Sequence, residues 1–225
     1  MSPALADAPP QGPPGSRRAN GHVVPPPRTG GGDDDERDPS HQPLFDNVLL
    51  AMLFLIVGEV IFFAALVAGF FVLRLSAPAW PPPAQPRLPV AVTGVNTLVL
   101  LGSSVAMLAA SRAGRHGDRG RLLRGLALTA ALGALFLAVQ GYEWARLIGY
   151  GLTMSSGAYG ATFYTLIGTH AAHVVGALTW LAVMLTGAAR RRLAGPPTPA
   201  LRACAIYWHF VVALWPVLYV SVYLL

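Results

Sequence analysis

The stretch Val48–Leu73, VLLAMLFLIVGEVIFFAALVAGFFVL, decides which kind of protein this chain is. A helix that crosses a bilayer needs about 20 consecutive apolar residues, and this run exceeds that length. Its single acid, Glu59, lies near the middle of the run, where a carboxylate costs roughly 2.5–3.5 kcal/mol on membrane insertion. We therefore expect Glu59 to face protein or water and to need a partner on another helix. It is the first candidate site residue.

The overall composition also indicates a membrane protein. Hydrophobic residues make up 54% of the 225 residues and charged residues only 12%, a balance that is unusual for a soluble domain. The net charge of +6 comes from Arg in the loops and the N-terminal tail, so it predicts membrane orientation and not a nucleic-acid surface. A lone cysteine, Cys204, supports neither an internal disulfide nor a thiolate metal site, and we interpret it as a packing residue.

The chain divides into a tail and a membrane domain. Residues 1–43 are dominated by Pro, Gly and charge, as in TGGGDDDERD, which predicts a disordered tail. Residues 44–225 contain five apolar segments, each long enough to span a bilayer. Such segments must be helical in lipid, because only a helix satisfies all its backbone groups internally. The sequence thus predicts an all-α membrane protein with five transmembrane helices, at about 47–74, 89–111, 122–145, 159–187 and 200–225.

The distribution of arginine predicts how these helices are oriented. Of the 16 arginines, 13 lie in the tail, in the loop between the second and third segments, or in the loop between the fourth and fifth. The loops on the other side hold the remaining 3. Since short cytoplasmic loops carry the excess of basic residues, we expect the N-terminus inside and the C-terminus outside.

Deleting residues 1–40 is expected to leave membrane insertion and assembly intact, because no apolar run in the predicted tail is long enough to fold. The measurement is the amount of membrane-inserted, complex-bound chain in cells that express the truncated protein. Loss of the complex on this deletion would show that the tail takes part in assembly.

Several polar residues besides Glu59 lie at membrane depth. At about 1.5 Å per helical residue, Glu59, His173 and His209 all fall in the inner half or near the midplane of their helices. They could therefore share one layer. His170 lies three residues before His173, on the same helical face. Further polar side chains within the spans are Asn96, Gln140 and Glu143.

These residues allow more than one chemical interpretation. His170 and His173 could hold a metal, but zinc and di-iron sites need further carboxylate, His or Cys ligands. A haem between two histidines of the last two helices is a second interpretation, and hydrogen bonding between helices is a third. Gln140 and Glu143 are interpreted as a capping and interface pair. The sequence shows no nucleophile–base pair with an orienting group, so its chemistry indicates an interaction subunit or a proton pathway.

Five motifs occur in series between about residues 45 and 225: GEVIFF around Glu59, VNTLVLLGSSVAM, QGYEW, SGAYGATFYTLIGTHAAHVVGAL, and YWHFVVALWPVLYVSVYLL. Taken together, in this order and spacing, they resemble subunit III of the haem–copper respiratory oxidases, such as cytochrome c oxidase. The chain is similar to the shorter, five-helix bacterial type. It departs from the family pattern at Gly58, which replaces Ser, at Thr169, which replaces Phe, and at Val212, where many members carry Asp.

The resemblance implies a non-redox accessory subunit in a bacterial plasma (inner) membrane. Haem and copper would belong to the partner, catalytic subunit I, with subunit II in the same complex, so that this chain itself would hold no cofactor apart from bound phospholipid. The complex would reduce oxygen in aerobic respiratory electron transport while protons are pumped. Glu59 would be the family's carbodiimide-reactive carboxyl. Carried onto this sequence, the resemblance implies a buried polar cluster of Glu59, His170, His173 and His209.

Other functions stay open at this point. The accessory subunit of a nitric oxide reductase and the third subunit of a quinol oxidase share the fold and most of the motifs. A small proton-coupled transporter that uses Glu59 as its carrier is a different class, although such transporters are built from broken helices or inverted repeats, which this sequence lacks. A membrane cytochrome with haem between His173 and His209 is a further alternative.

Overall fold

The computed structural model describes residues 47–83, 85–190 and 198–225, all of which belong to one compact unit, Pro43–Leu225. The predicted tail, residues 1–43, lies outside the described residues. Five α-helices follow one another along the chain, and the last continues into a short π-helix, Val220–Leu224. The α-helices are α1 (Asn47–Ser76), α2 (Val90–Arg115), α3 (Arg119–Gly149), α4 (Ala158–Ala189) and α5 (Pro199–Tyr219).

All five helices are long and apolar enough to cross a membrane. The predicted class, an all-α membrane protein with five spanning helices, is therefore confirmed for the described residues. The helices extend up to four residues beyond the predicted segments because an apolar run marks the lipid boundary and not the helix end. For example, α3 begins at Arg119, where the carboxylate of Asp118 accepts a hydrogen bond from the backbone N–H of Arg121 at 2.9 Å.

Helices α2 and α3 form the closest pair, with Gly125 of α3 facing the backbone of Ala110 on α2. Helix α5 lies against α1, α2 and α4, so the bundle is assembled around it. Helix α1 packs mainly on α4 and α5, and most of its apolar side chains are exposed on the surface of the bundle. Small residues at such contacts allow helices to approach closely in lipid, where burial of apolar surface gives little driving force.

Helices α2 and α5 are joined by side-chain hydrogen bonds from buried tryptophans. The indole N–H of Trp215 donates to Thr97 Oγ1 at 2.8 Å, and that of Trp208 donates to Ser103 Oγ at 3.2 Å. Later residues of α5 thus pair with earlier residues of α2, as antiparallel neighbours must. We call these contacts, together with the contact between His209 and Ser104 described below, the α2–α5 seam.

Candidate functional site

Glu59 on α1 meets His173 on α4. Glu59 Oε2 lies 3.1 Å from His173 Nε2, and the two side chains are 19% and 20% exposed. Glu59, for which the sequence indicates no single partner, therefore contacts one of the histidines that were predicted to lie at the same membrane depth. This contact connects α1, most of whose apolar side chains are exposed, to the rest of the bundle.

One hydrogen bond of His173 fixes the position of a proton on its ring. Its Nδ1 lies 2.7 Å from the carbonyl oxygen of Thr169. A carbonyl oxygen only accepts, so Nδ1 must carry a proton and donate it. A further proton can reside either on the carboxyl of Glu59 or on His173 Nε2, which lies at ion-pair distance from it. In both arrangements the pair has no net charge, which reduces the cost of placing it in a membrane.

The Glu59–His173 pair borders a surface cavity of about 480 Å³. The cavity is otherwise lined by the apolar side chains of Phe54, Leu55 and Phe62 and by Gly58. On its other side His173 contacts Phe63 edge-on, with ring centroids 5.1 Å apart. The side chain of Glu59 therefore lies beside an apolar cavity at the surface of the bundle.

His170 does not join this pair. Its side chain is fully buried and stacks on the ring of Trp215, with centroids 5.1 Å apart. Neither of its ring nitrogens has a hydrogen-bond partner among the described residues. Although His170 and His173 share a helix and are one turn apart, His170 is directed into the aromatic core and His173 towards α1.

His209 is directed towards α2, where its Nδ1 forms a short hydrogen bond with Ser104 Oγ. It therefore belongs to the α2–α5 seam. The described contacts join only Glu59 and His173 of the four predicted residues. The implied four-residue cluster is thus distributed over three separate helix contacts.

Two of the three secondary polar residues connect different helices, and the third is paired within its own helix. The amide nitrogen of Asn96 donates to the carbonyl oxygen of Phe136 at 3.0 Å, which links α2 to α3. Gln140 donates to the hydroxyl of Tyr223 in the π-helix at 3.2 Å. Glu143 is buried and lies 3.3 Å from the guanidinium of Arg146 on the next turn of α3.

The described part of the chain brings together no group of three or more His, Cys, Asp or Glu side chains that could hold a metal. The donors that are present do not suit a haem between His173 and His209 either. Both ring nitrogens of His173 are engaged, one by Glu59 and one by Thr169, while His209 bonds to Ser104. The geometry of these side chains fits a proton shared between Glu59 and His173, and contacts that hold neighbouring helices together.

The sequence motifs do not reveal the role of the aromatic residues. The N–H groups of Trp208 and Trp215 make the α2–α5 seam. Tyr223 was assigned no role and is the partner of Gln140. The available signal was chemical, since a buried indole N–H or phenol O–H usually finds a hydrogen-bond partner.

These features define a multi-pass helical membrane protein whose buried polar side chains connect its helices. The profile of the family described as cytochrome c oxidase subunit III matches residues 40–225. The chain belongs to the cytochrome c oxidase subunit III family, and the resemblance inferred from the five motifs is confirmed.

Three relatives illustrate the match. Over 180 residues the chain is 34% identical to "Cytochrome c oxidase subunit 3" of Bacillus subtilis (strain 168), covering 80% of this chain and 86% of that protein. It is 38% identical over 172 residues to "Probable cytochrome c oxidase subunit 3" of Nocardia farcinica, covering 74% and 82%. The pig (Sus scrofa) protein "Cytochrome c oxidase subunit 3" is 34% identical over 178 residues, covering 76% and 67%.

Proposed function

We propose that this chain is a non-redox accessory subunit of a haem–copper terminal oxidase. The oxidase reduces oxygen in aerobic respiration and couples this reaction to proton pumping. The chain stabilises the catalytic subunit and supports proton uptake. Family membership supports this function, and the observation that carries the role of this chain is the Glu59–His173 pair, which can hold one exchangeable proton at membrane depth.

The proposal includes the partners and the location of the chain. The partners are catalytic subunit I, subunit II and membrane lipids, and the membrane is the bacterial plasma (inner) membrane. The arginine distribution supports an N-terminus inside and a C-terminus outside. The chain itself binds phospholipid, and the haem and copper of the complex are held by its partner.

The pair is proposed to act in two ways. It fixes α1 to α4 through a charge-neutral contact, which is inexpensive in lipid because neither ion is left unpaired. It also keeps a proton between two groups that both exchange protons, at a position beside the apolar surface cavity. A small displacement of α1 would change which atom carries this proton, so the pair can respond to events in a neighbouring subunit.

A pull-down in mild detergent tests the assignment. The tagged chain is expected to co-purify with a subunit that shows the visible absorption of haem and contains copper. The electron donor that this complex oxidises then distinguishes a cytochrome c oxidase from a quinol oxidase. Recovery of a haem subunit that lacks copper and reduces nitric oxide would favour the nitric oxide reductase alternative, and recovery of the chain without any haem subunit would contradict the proposal.

Replacing Glu59 by Gln is expected to leave the complex assembled but to abolish labelling by a hydrophobic carbodiimide. The amide keeps the shape of the side chain but lacks the carboxyl group that such reagents attack. The measurement is the incorporation of a radioactive or mass-tagged carbodiimide into this subunit of the purified complex.

The matched control is Glu143→Gln. Glu143 is also buried, but it is paired with Arg146 and does not line the cavity beside Glu59. Labelling in this variant should equal that of the wild type. Labelling that persists in Glu59→Gln, or that disappears in Glu143→Gln, would show that a different carboxyl is the reactive one.

A further inference from the structure

A cavity of about 580 Å³ lies at the end of the bundle opposite the arginine-rich loops. It is placed where α1 ends, where α2 and α4 begin, and where the π-helix ends, and the loop between α1 and α2 forms part of its wall. It shares no residue with the cavity beside Glu59. None of the polar residues that the sequence singled out lines it. We call this feature the end cavity.

The end cavity has an excess of positive charge. Two arginines line it, Arg74 in the last turn of α1 and Arg87 in the loop before α2. Among the described residues Arg87 makes no hydrogen bond or ion pair, and the side chain of Arg74 interacts only with the phenol of Tyr159 in the same wall. No described Asp or Glu lines the cavity, so the two guanidinium groups face only the carboxylate of the last residue, Leu225. The cavity therefore attracts a negatively charged group.

The aromatic wall of the end cavity is held in place by the bundle. The ring of Trp80 contacts Phe70 of α1 edge-on, with centroids 5.6 Å apart, and Tyr159 of α4 at 5.1 Å. Tyr159 is itself buried. A further lining residue, Tyr223, accepts the hydrogen bond from Gln140 described above. Because these side chains are fixed before a ligand arrives, they lose little conformational freedom when it binds.

The lining also contains an unsatisfied acceptor. The side-chain carbonyl oxygen of Gln85 is buried and has no hydrogen-bond partner among the described residues, a situation that costs free energy. A bare anion held by the two arginines would leave this oxygen unpaired, because such an anion has no hydrogen to donate. A polypeptide segment supplies both groups, an acidic side chain for the guanidinium groups and a backbone N–H for the carbonyl oxygen.

We propose that the end cavity docks an acidic segment of a different subunit of the complex, on the outer side of the membrane. An Asp or Glu of that segment accepts hydrogen bonds from Arg74 and Arg87, since guanidinium groups suit carboxylate oxygens. The backbone of the segment donates to Gln85, and its apolar atoms lie against Trp80. Aromatic residues and Arg are enriched at the centres of protein interfaces, in agreement with this lining. The inference rests on the proposed function only for the existence of a complex and for the orientation of the chain.

The test makes use of the fact that the chain contains no lysine. Arg87→Lys places a single primary amine in the end cavity, and a water-soluble carbodiimide joins an amine to a carboxylate that touches it, as an amide, with loss of one water. The variant is purified within its complex, treated with this reagent and digested, and linked peptides are identified by mass spectrometry. We expect a link between position 87 and an Asp or Glu of a different subunit. The wild-type complex should give no link from position 87.

Two matched controls sharpen the test. Met154→Lys places the amine on the other loop of the same side, at an exposed residue that does not line the cavity, and it should give at most a trace of links to that subunit. Arg74→Gln, added to Arg87→Lys, is expected to lower the yield of the link about threefold, since one ion pair with the segment is lost. Arg146→Gln in the same background should leave the yield unchanged, because Arg146 is paired with Glu143 and lies outside the cavity.

The remaining outcomes overturn the proposal. A link from position 87 to the carboxylate of Leu225 would show that this chain fills the cavity itself. A link to a lipid headgroup, to a small carboxylic acid or to a second copy of this chain would assign a different occupant. No link at all in an intact complex would leave the cavity without a docked acid, whereas failure to recover any complex would contradict the proposed function instead.

A measurement on the wild-type complex needs no substitution and keeps the proposal testable if a variant fails to fold. Phenylglyoxal modifies accessible guanidinium groups. Arg87 and Arg146 are both exposed in the chain alone, so Arg87 should react several times more slowly than Arg146 in the complex, where the docked segment covers it. Equal rates for the two arginines would overturn the proposal.

Discussion

Replacing Gly125 by Leu is expected to separate α2 from α3 and to destabilise the bundle by about 3 kcal/mol or more. A Cβ atom on Gly125 would lie 2.7 Å from the Cβ of Ala110 and 2.9 Å from its Cα. A side chain could rotate away from such a clash, but the obstacle is the backbone of α2. The helices must therefore move apart along their longest contact. The measurement is the unfolding of the detergent-solubilised chain, followed by circular dichroism during titration with a denaturing detergent.

The control for this prediction lies on the same helix. Gly141 is exposed, and a Cβ there would meet no atom within 4 Å. Gly141→Leu should therefore change the free energy of unfolding by no more than about 0.5 kcal/mol. Equal destabilisation by the two substitutions would contradict the close approach of α2 to α3.

Replacing Trp208 by Ala is expected to cost about 3–5 kcal/mol, the usual range for deleting a buried aromatic side chain. Trp208 is 1% exposed, donates to Ser103, and fills the space above Gly133, where a Cβ would come within 2.5 Å of its ring. The substitution would leave a large cavity between α3 and α5 and remove one bond of the α2–α5 seam. The same unfolding titration measures it.

Two further variants separate packing from hydrogen bonding at this position. Trp208→Phe keeps a ring but loses the N–H donor, and it should cost less than the alanine variant because Ser103 also donates to the Leu100 carbonyl within its own helix. Trp180→Ala removes a partly buried indole from α4 and should be the mildest of the three. A Trp180→Ala variant as unstable as Trp208→Ala would refute the central position of Trp208.

The depth of each polar residue in the membrane could be predicted from the sequence, but the neighbouring helix that its side chain faces could not. Counting from the helix ends placed Glu59, His173 and His209 in one layer, and Glu59 and His173 do meet. His209 is directed towards Ser104 instead. A soluble helix shows its buried face by its apolar stripe, whereas a membrane helix is apolar on all sides. The rotation of a membrane helix about its own axis is therefore set by its contacts with other helices, which the sequence of that helix alone does not reveal.

The end of α5 shows a second limit of sequence reasoning. The last apolar segment predicts one continuous helix to residue 225, but the α-helix ends at Tyr219 and a π-helix follows. Pro216 has no N–H to donate within α5, and the wider π turn comes directly after this region. The hydroxyl of Tyr223 thereby reaches Gln140. Proline in the last turns of a helix indicates an irregularity, but it does not specify which partner the displaced side chain will find.

The α2–α5 seam has a consequence for the order in which the protein is made. Its bonds join residues 105 and 118 positions apart, so α2 enters the membrane long before α5 has been synthesised. During this interval the hydroxyls of Thr97 and Ser103 are not left unsatisfied, because each also donates to a carbonyl of its own helix, Thr93 and Leu100. The hydroxyls of Thr97 and Ser103 therefore add no unpaired group to α2 in the membrane before α5 has been synthesised.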